Sequence, residues 1–335
     1  MNKVAQIVTD KILQRMETAK EKKEKFYWVK PFAEGAPDRP YSYGSQAYTG
    51  INRLLLDNTE YLTFNKIQEL NKGADNAGYH IRQGAHGNMV CYFNTVPVIN
   101  SETGEPEIDE VTGKEKRKGF LKYYNVFSRE DVITNSGKNL PSKFEFQHYT
   151  HEETTENMRK SLDRFNRLFN YFCQKYKIGI ETITDGIQAY FCNNMTIRVP
   201  SIENFHSLYQ WVHTMAHEMS HATGVMLGRF ENQTIESEEE QMQSYSREEL
   251  VAELSAEMLC AELHIPDDSD TPDNSVAYIS GWSSYLKDRP NEIITAASKA
   301  EKASDLIMQC LNEMELEEQK AKSVNKMERN DDYVR

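Results

Sequence analysis

His217, Glu218 and His221 stand as H-E-x-x-H within the stretch HTMAHEMSHATG at 213–224. On a helix, residues four apart share a face, so the two imidazoles project together. From that face both can reach one metal ion at about 2.0–2.1 Å, the zinc–nitrogen distance. Glu218 is offset by one residue, beside such an ion rather than on it. A carboxylate there can take a proton from a bound water whose pKa zinc lowers to about 7. Isolated histidines on helices are common, and the motif also arises by chance. Here the motif lies mid-helix, a strand-like segment precedes it, and Gly224 is placed to close the helix. These features favour a metal site. His213, one turn before His217, is expected to be structural or at the edge of the site.

Two histidines leave a zinc ion short of protein ligands. The position six residues after His221 is Leu227, which excludes the metzincin arrangement of a third histidine there. A downstream carboxylate is the natural replacement, with water in the open position. The segment REELVAELSAEMLCAELHI at 247–265 offers Glu248, Glu249, Glu253 and Glu257. Glu249, Glu253 and Glu257 repeat every four residues and form one acidic line on an otherwise apolar helix. Such a line looks into a site, although Glu257 reads as a solvated position. Tyr245 and His213 are candidates for stabilising an oxyanion.

These residues need elements to hold them. Phe205, Leu208, Val212, Met215 and Met219 form a separate apolar stripe on the motif helix, suited to a core. Before it, IQAYFCNNMTIRVPS reads as two short strands joined at Asn193-Asn194. A long helix precedes these strands from about 151, ended by Gly179, and two further helices follow the loop at PDDSDTPDN. In the first half, a charge-rich amphipathic helix opens the chain, with short helices near Ile51–Leu56 and before Gly73. YHIRQGAHGNMVCYFNTVPVI alternates about a glycine-rich turn and reads as a hairpin. A polar excursion near 100–118 separates it from the strand-like FLKYYNVFSREDV.

The chain has 335 residues, 39% hydrophobic and 27% charged, the composition of a globular protein with two domains. Nothing approaches the apolar run of about eighteen residues needed to span a membrane, and the N-terminus lacks signal-peptide features. The five cysteines are scattered and never form C-x-x-C, which argues against a disulfide framework and for a reducing cytoplasm. The net charge of −13 is unevenly spread. Residues 1–150 hold 21 Lys and Arg against 19 Asp and Glu; residues 151–335 hold 18 against 33. The second half is a poor partner for phosphate, and the first half is permitted it. There Lys22, Lys23, Lys25, Lys30, Arg39, Arg53, Arg82 and Lys122 are interleaved with aromatics including Trp28, Tyr41, Tyr43, Tyr48, Tyr123 and Tyr124. That mixture suits single-stranded DNA, with cations for phosphates and rings for bases, but it also suits the core of a small domain.

The chain resembles a known family. TIRVPSIENFHSLYQWVHTMAHEMSHATG, YSREELVAELSAEMLCAEL and ISGWSSYLKDRPNEIITAASKAEKASDLI are similar to the C-terminal domain of ArdC-type antirestriction proteins of plasmids and other mobile elements. YTGINRLLL, YLTFNKIQ, IRQGAHG and YYNVFSRED resemble that family's N-terminal domain, related to TraC-type primases. EELVAELS further resembles the third-ligand helix of thermolysin-like gluzincins. The resemblance implies an α+β protein: a small α+β single-stranded-DNA-binding domain over 1–148, then a mostly helical zincin-like metallopeptidase domain with a small sheet over 149–322. A flexible tail is expected at 323–335. It implies one Zn2+ per chain held by His217, His221 and Glu249, with Glu218 catalytic and Glu253 orienting a ligand histidine, or itself the third ligand. It also implies a substrate-lining edge strand, with MTIRVP in its place. The expected partners are single-stranded DNA, contacted by Tyr48, Asn52, Arg53 and Arg82, and a protein or peptide substrate. A non-catalytic protein that shields DNA from host nucleases, with a vestigial zinc site, is the alternative.

Overall fold

The computed structural model describes residues 3–29, 37–73, 78–109, 112–144, 151–184, 188–192, 194–205, 207–230, 237–265 and 273–332. Lys30 and Asn193, named above, and most of the loop at PDDSDTPDN lie outside them. The fold is α+β, with eight helices and three small sheets among the described residues. No described helix is long and apolar enough to cross a membrane.

The chain divides into two compact units. One comprises residues 1–26, 40–144 and 276–294, the other 27–39, 145–275 and 295–335. The single boundary expected at 148 therefore gives way to two exchanged segments. Side-chain contacts decide this, and composition does not display them. Trp28 and Val29 are buried, the Val29 N–H donates to Glu257 Oε2 at 2.9 Å, and Arg39 pairs with Glu262 and Glu301 at 2.7 and 3.0 Å. Val29 and Arg39 thus fasten to the C-terminal unit.

In the N-terminal unit, α1 (Lys3–Lys22) buries Ala5, Val8, Ile12, Met16 and Ala19, the three-to-four spacing of an amphipathic helix. Thr9 Oγ1 donates to the Pro290 carbonyl at 2.8 Å and ties α1 to the segment after α7 (Asp273–Lys287). Strands β1 (Tyr41–Ser42), β2 (Glu60–Leu62), β4 (Asn88–Pro97) and β5 (Arg117–Ser128) form a sheet in the order β1-β2-β5-β4. Only the β1–β2 pair is parallel. The short helices are α2 (Ile51–Leu55) and α3 (Phe64–Leu70), the latter capped by Thr63, whose hydroxyl accepts from the Lys66 N–H at 3.1 Å.

The hairpin expected about RQGAHG does not form. β3 (His80–Ile81) pairs with β6 (Val132–Ile133), and β4 pairs with β5 from Asn88↔Val126 to Pro97↔Arg117. Local alternation marks strands but not their partners, and the long alternating β5 offers β4 the larger ladder. The polar excursion joins these two strands, closing back on itself through bridges at Ile99↔Pro106 and Ile108↔Glu115.

In the C-terminal unit, α4 (His151–Tyr176) leads to a sheet in the order β7 (Gly179–Ile183), β9 (Thr196–Pro200), β8 (Tyr190–Cys192). β9, the MTIRVP segment, is therefore the central strand rather than the edge. It pairs in parallel with β7 and antiparallel with β8. α4 ends at Tyr176, where Lys177 takes φ 55° and the Ile178 N–H reaches back to the Cys173 carbonyl, so Gly179 opens a strand instead of stopping the helix. Phe165, Phe172, Ile197, Met215, Met219, Leu259 and Leu311 meet in one core built from α4, β9, α5 (Leu208–Met226), α6 (Glu238–Glu262) and α8 (Glu292–Asp332). α8 continues to Asp332, into the segment 323–335 read as a flexible tail, with no glycine or proline to interrupt it there.

Candidate metal centre

Two helix starts set the frame. Ser207 caps α5 by accepting from the Gln210 N–H, and Ser237 caps α6 by accepting from the Glu240 N–H. Three glutamates in the first turn of α6 suit its positive end. Val212, Met215 and Met219 face the core, which turns His217, Glu218 and His221 toward a cleft of about 870 Å³. Glu248, Glu249 and Tyr245 of α6 line the same cleft, with Tyr190 and Phe191 of β8, Val225 of α5, and Phe230.

His217, His221 and Glu249 each offer one ligand-capable atom, all within 4.8 Å of one another. His217 Nε2 lies 3.1 Å from His221 Nε2 and 3.4 Å from Glu249 Oε2, and His221 Nε2 lies 3.4 Å from Glu249 Oε1. Donors bound tetrahedrally at 2.0–2.1 Å stand about 3.4 Å apart, so this donor set fits a divalent ion such as zinc.

The outer ring nitrogens are also held. His217 Nδ1 lies 3.3 Å from Glu253 Oε2, and His221 Nδ1 lies 3.5 Å from Glu248 Oε1. Carboxylates at these positions fix ring orientation and aim Nε2 inward. Glu248 is in turn gripped by Arg229, whose Nε lies 3.1 Å from Oε2 and whose other nitrogens donate to Thr223 Oγ1 and the Ser220 carbonyl. Glu253 thus sits behind His217. Sequence reasoning offered Glu248 among four carboxylates but gave it no role, and it did not single out Arg229. Their only visible signals were the neighbour of Glu249 and a cation following a glycine.

The electrostatics follow from this packing. Burial opposes charge on the His217 ring, but hydrogen bonds to Glu249 and Glu253 outweigh it and push the ring up to about 10. His221 is raised in the same way by Glu248 and Glu249, against burial. Burial would raise Glu249, yet its bonds to both histidines hold it well below the usual carboxylate range. Glu248 is lowered despite its burial, by His221 and Arg229. Glu218 differs: burial dominates and raises it, with the nearby histidines opposing. Its carboxylate takes the Phe191 N–H, while Oε2 is buried without a hydrogen bond to the described residues.

The other expected residues fall as follows. Gly224 lies inside α5, and its missing side chain makes room for the Phe230 ring, 2.4 Å from where a Cβ would stand. The helix ends instead at Met226, with Gly228 just past its cap at φ 65° and the Arg229 N–H returning to the Gly224 carbonyl. Glu257 is buried under Val29 rather than solvated. His213 stands 3.7 Å from Glu253 and does not line the cleft; Tyr245 lines it and hydrogen-bonds to Glu249.

The DNA candidates separate. Asn52 clasps β4, donating to the Cys91 carbonyl at 2.8 Å and accepting its N–H at 2.7 Å. Arg53 is buried, so its guanidinium is not presented at a surface. Tyr48 is half-buried, its ring edge-on to Tyr61 at 6.3 Å, and burial pushes its hydroxyl up to about 12. Arg82 is exposed and donates to Asn139 Oδ1 and the Glu130 carbonyl. A buried arginine and a strand clasp serve the fold, which composition cannot distinguish from phosphate contacts.

Two family models match the chain, each over one contiguous stretch. Residues 2–127 match the family described as the N-terminal domain of anti-restriction factor ArdC, and residues 169–299 match the zincin-like metallopeptidases. The antirestriction protein ArdC from plasmid R388 in its metal-free crystal structure is 27% identical, with a TM-score of 0.58, covering 93% of this chain and 98% of that one. Its Mn(II)-bound structure is 28% identical, with the same TM-score, covering 92% and 97%. The uncharacterized protein y4eC of Sinorhizobium fredii is 25% identical over 280 residues, 78% of each chain. DNA primase TraC of Escherichia coli is 25% identical over 296 residues, 84% of this chain but only 18% of that protein. The chain is thus of the ArdC type: an ArdC N-terminal domain followed by a zincin-like metallopeptidase domain.

Proposed function

We propose that this protein is a metal-dependent peptidase of antirestriction type, carried by a mobile element, whose N-terminal unit binds single-stranded DNA. The observation that carries the peptidase reading is the convergence of two Nε2 atoms and a carboxylate beside Glu218 in an open cleft. His217, His221 and Glu249 would hold a single zinc ion. When bound, it supplies a lowered pKa for water and a charge that polarises a scissile carbonyl.

The chain's own groups do the rest. Glu253 and Glu248 keep the two rings oriented, and Arg229 keeps Glu248 charged and in place. Glu218 takes a proton from the attacking water and passes it to the leaving amine. Its raised pKa brings it toward the range in which a carboxyl exchanges protons near neutral pH. β8 lies at the sheet edge and along the cleft, where an extended peptide can add by backbone pairing. The DNA-binding part rests on the ArdC match over residues 2–127, the relation to a primase, and the lower acidity of the first half of the chain.

The test is turnover of an unstructured protein such as casein by the zinc-loaded chain. Glu218→Gln spares the proposed ligands and removes the base, so hydrolysis should fall by about 10²–10⁴-fold with metal content unchanged. Absent turnover in the parent, with DNA still protected from nuclease by both forms, would contradict the peptidase reading and leave a DNA-shielding protein.

A further inference from the structure

We propose that the projecting ribbon formed by β4 and β5 is the single-strand contact surface of the N-terminal unit, with Tyr92 and Tyr124 as stacking platforms and Lys118 and Lys122 as phosphate contacts. This rests on the DNA-binding reading above but moves it away from Asn52 and Arg53, which the fold consumes.

The ribbon carries four large aromatics at its surface. Tyr92, Phe93, Tyr123 and Tyr124 are between 39% and 69% exposed, although their strands are regular and paired. A two-stranded ribbon needs some cross-strand aromatic contact, and Phe93 provides it by lying over Gly119, where a Cβ would stand 2.3 Å from the ring. Tyr124 also shares a side-chain hydrogen bond with Tyr48, yet Tyr92 and Tyr124 remain 40% and 39% exposed.

Register places the others usefully. Tyr92 faces Lys122, Val96 faces Lys118, and Val90 faces Tyr124, so Tyr92, Tyr124, Lys118 and Lys122 share one face. Tyr92 and Tyr124 stand with centroids 5.9 Å apart and planes tilted by 55°, and Lys122 Nζ lies 5.0 Å from the Phe120 ring centre on the same face. Side chains on one face of a strand repeat about every 6.7 Å, close to two stacked-base steps of about 3.4 Å.

Charge selects the occupant. β4 and β5 contain Arg117, Lys118 and Lys122 and no aspartate or glutamate. The acidic residues of the connecting excursion are partly neutralised within it, Glu107 by Lys116 at 3.3 Å, and Glu115 pairs with Arg117 at 3.4 Å. An acid-free ribbon with open rings and lysines on one face is complementary to a polyanion whose bases are unstacked and available.

The experiment is fluorescence anisotropy of a labelled oligothymidylate titrated with the full chain at several salt concentrations. Tyr92→Leu, which keeps an apolar side chain, should weaken binding by about tenfold. Lys118→Ala/Lys122→Ala should reduce the slope of log affinity against log salt by about 1.4. Melting temperatures should match the parent, since all three side chains are exposed. If the parent binds the oligonucleotide and both variants bind with the same affinity and salt slope, the ribbon proposal is overturned while the DNA reading stands. If the parent does not bind, the DNA reading itself fails and the ribbon falls with it. Equal binding of a blunt duplex, lost in the same variants, would overturn stacking in favour of groove insertion.

Discussion

Glu60 in the N-terminal unit and Glu218 in the C-terminal unit are both buried carboxylates, 1% and 5% exposed. Their surroundings differ in kind. Glu60 is saturated: Ser142 Oγ donates to it, the Lys143 N–H donates at 3.0 Å, and Arg129 Nε lies 3.1 Å away. Glu218 receives one backbone N–H, and its other oxygen is buried without a partner among the described residues, on the wall of a cleft. A buried charge whose bonds are complete belongs to the fold. One left incomplete beside an open volume is available for chemistry, and its desolvation is the cost of that availability.

Melting the two variants is the strongest way to break this contrast. Glu60→Ala removes one partner of a buried network and leaves Arg129 behind, at a cost of about 3–5 kcal/mol. That corresponds to a melting temperature lower by roughly 10 °C for a unit of this size. Glu218→Gln should leave the metal-free protein as stable or more so. A group whose folded pKa is raised by burial is disfavoured in its charged form at neutral pH, so a neutral replacement relieves a cost. Equal losses in the two variants would show that both carboxylates serve the fold.

A smaller effect separates the layers of the cleft itself. Glu248→Ala and Arg229→Met should each weaken zinc binding by about 10–100-fold in competition with a chelator, because the His221 ring loses its orienting partner. Unchanged affinity in both would reduce this pair to a surface clasp.

An effect of comparable size is expected in pH. The metal-free His217 ring is pushed up to about 10, so it carries a proton at pH 7 that a metal must displace. Zinc affinity should therefore climb by about tenfold per unit between pH 7 and pH 9, with proton release measurable by calorimetry in buffers of different ionisation enthalpy. A flat profile over that window would mean the ring is already neutral and the carboxylates face elsewhere.

The metal helix was legible because four-residue spacing converts directly into a shared face, and the same rule exposed Glu249 and Glu253. Arg229 was not legible. It acts from beyond the helix end, and its grip on Glu248 depends on how α5 and α6 pack. Glycines were informative only about the absence of a side chain. Gly224 serves a ring contact and Gly228 a helix end, and the two look alike in sequence. Strands were found more readily than their partners: β9 was recognised but sits at the sheet centre, and β4 was recognised but pairs with β5 rather than β3. Two of the four DNA candidates are taken up by the fold for a related reason. Arg53 and Asn52 have the right chemistry, but a buried polar residue and a surface one cannot be told apart from type alone.

The central claim is that His217, His221 and Glu249 together hold one divalent ion. Metal content of the purified chain after zinc loading and desalting, measured beside Glu249→Ala, tests it most directly. The account predicts close to one zinc per parent chain and a clear loss in the variant. A parent that cannot be loaded, or a variant that retains zinc at the parent level, would contradict it.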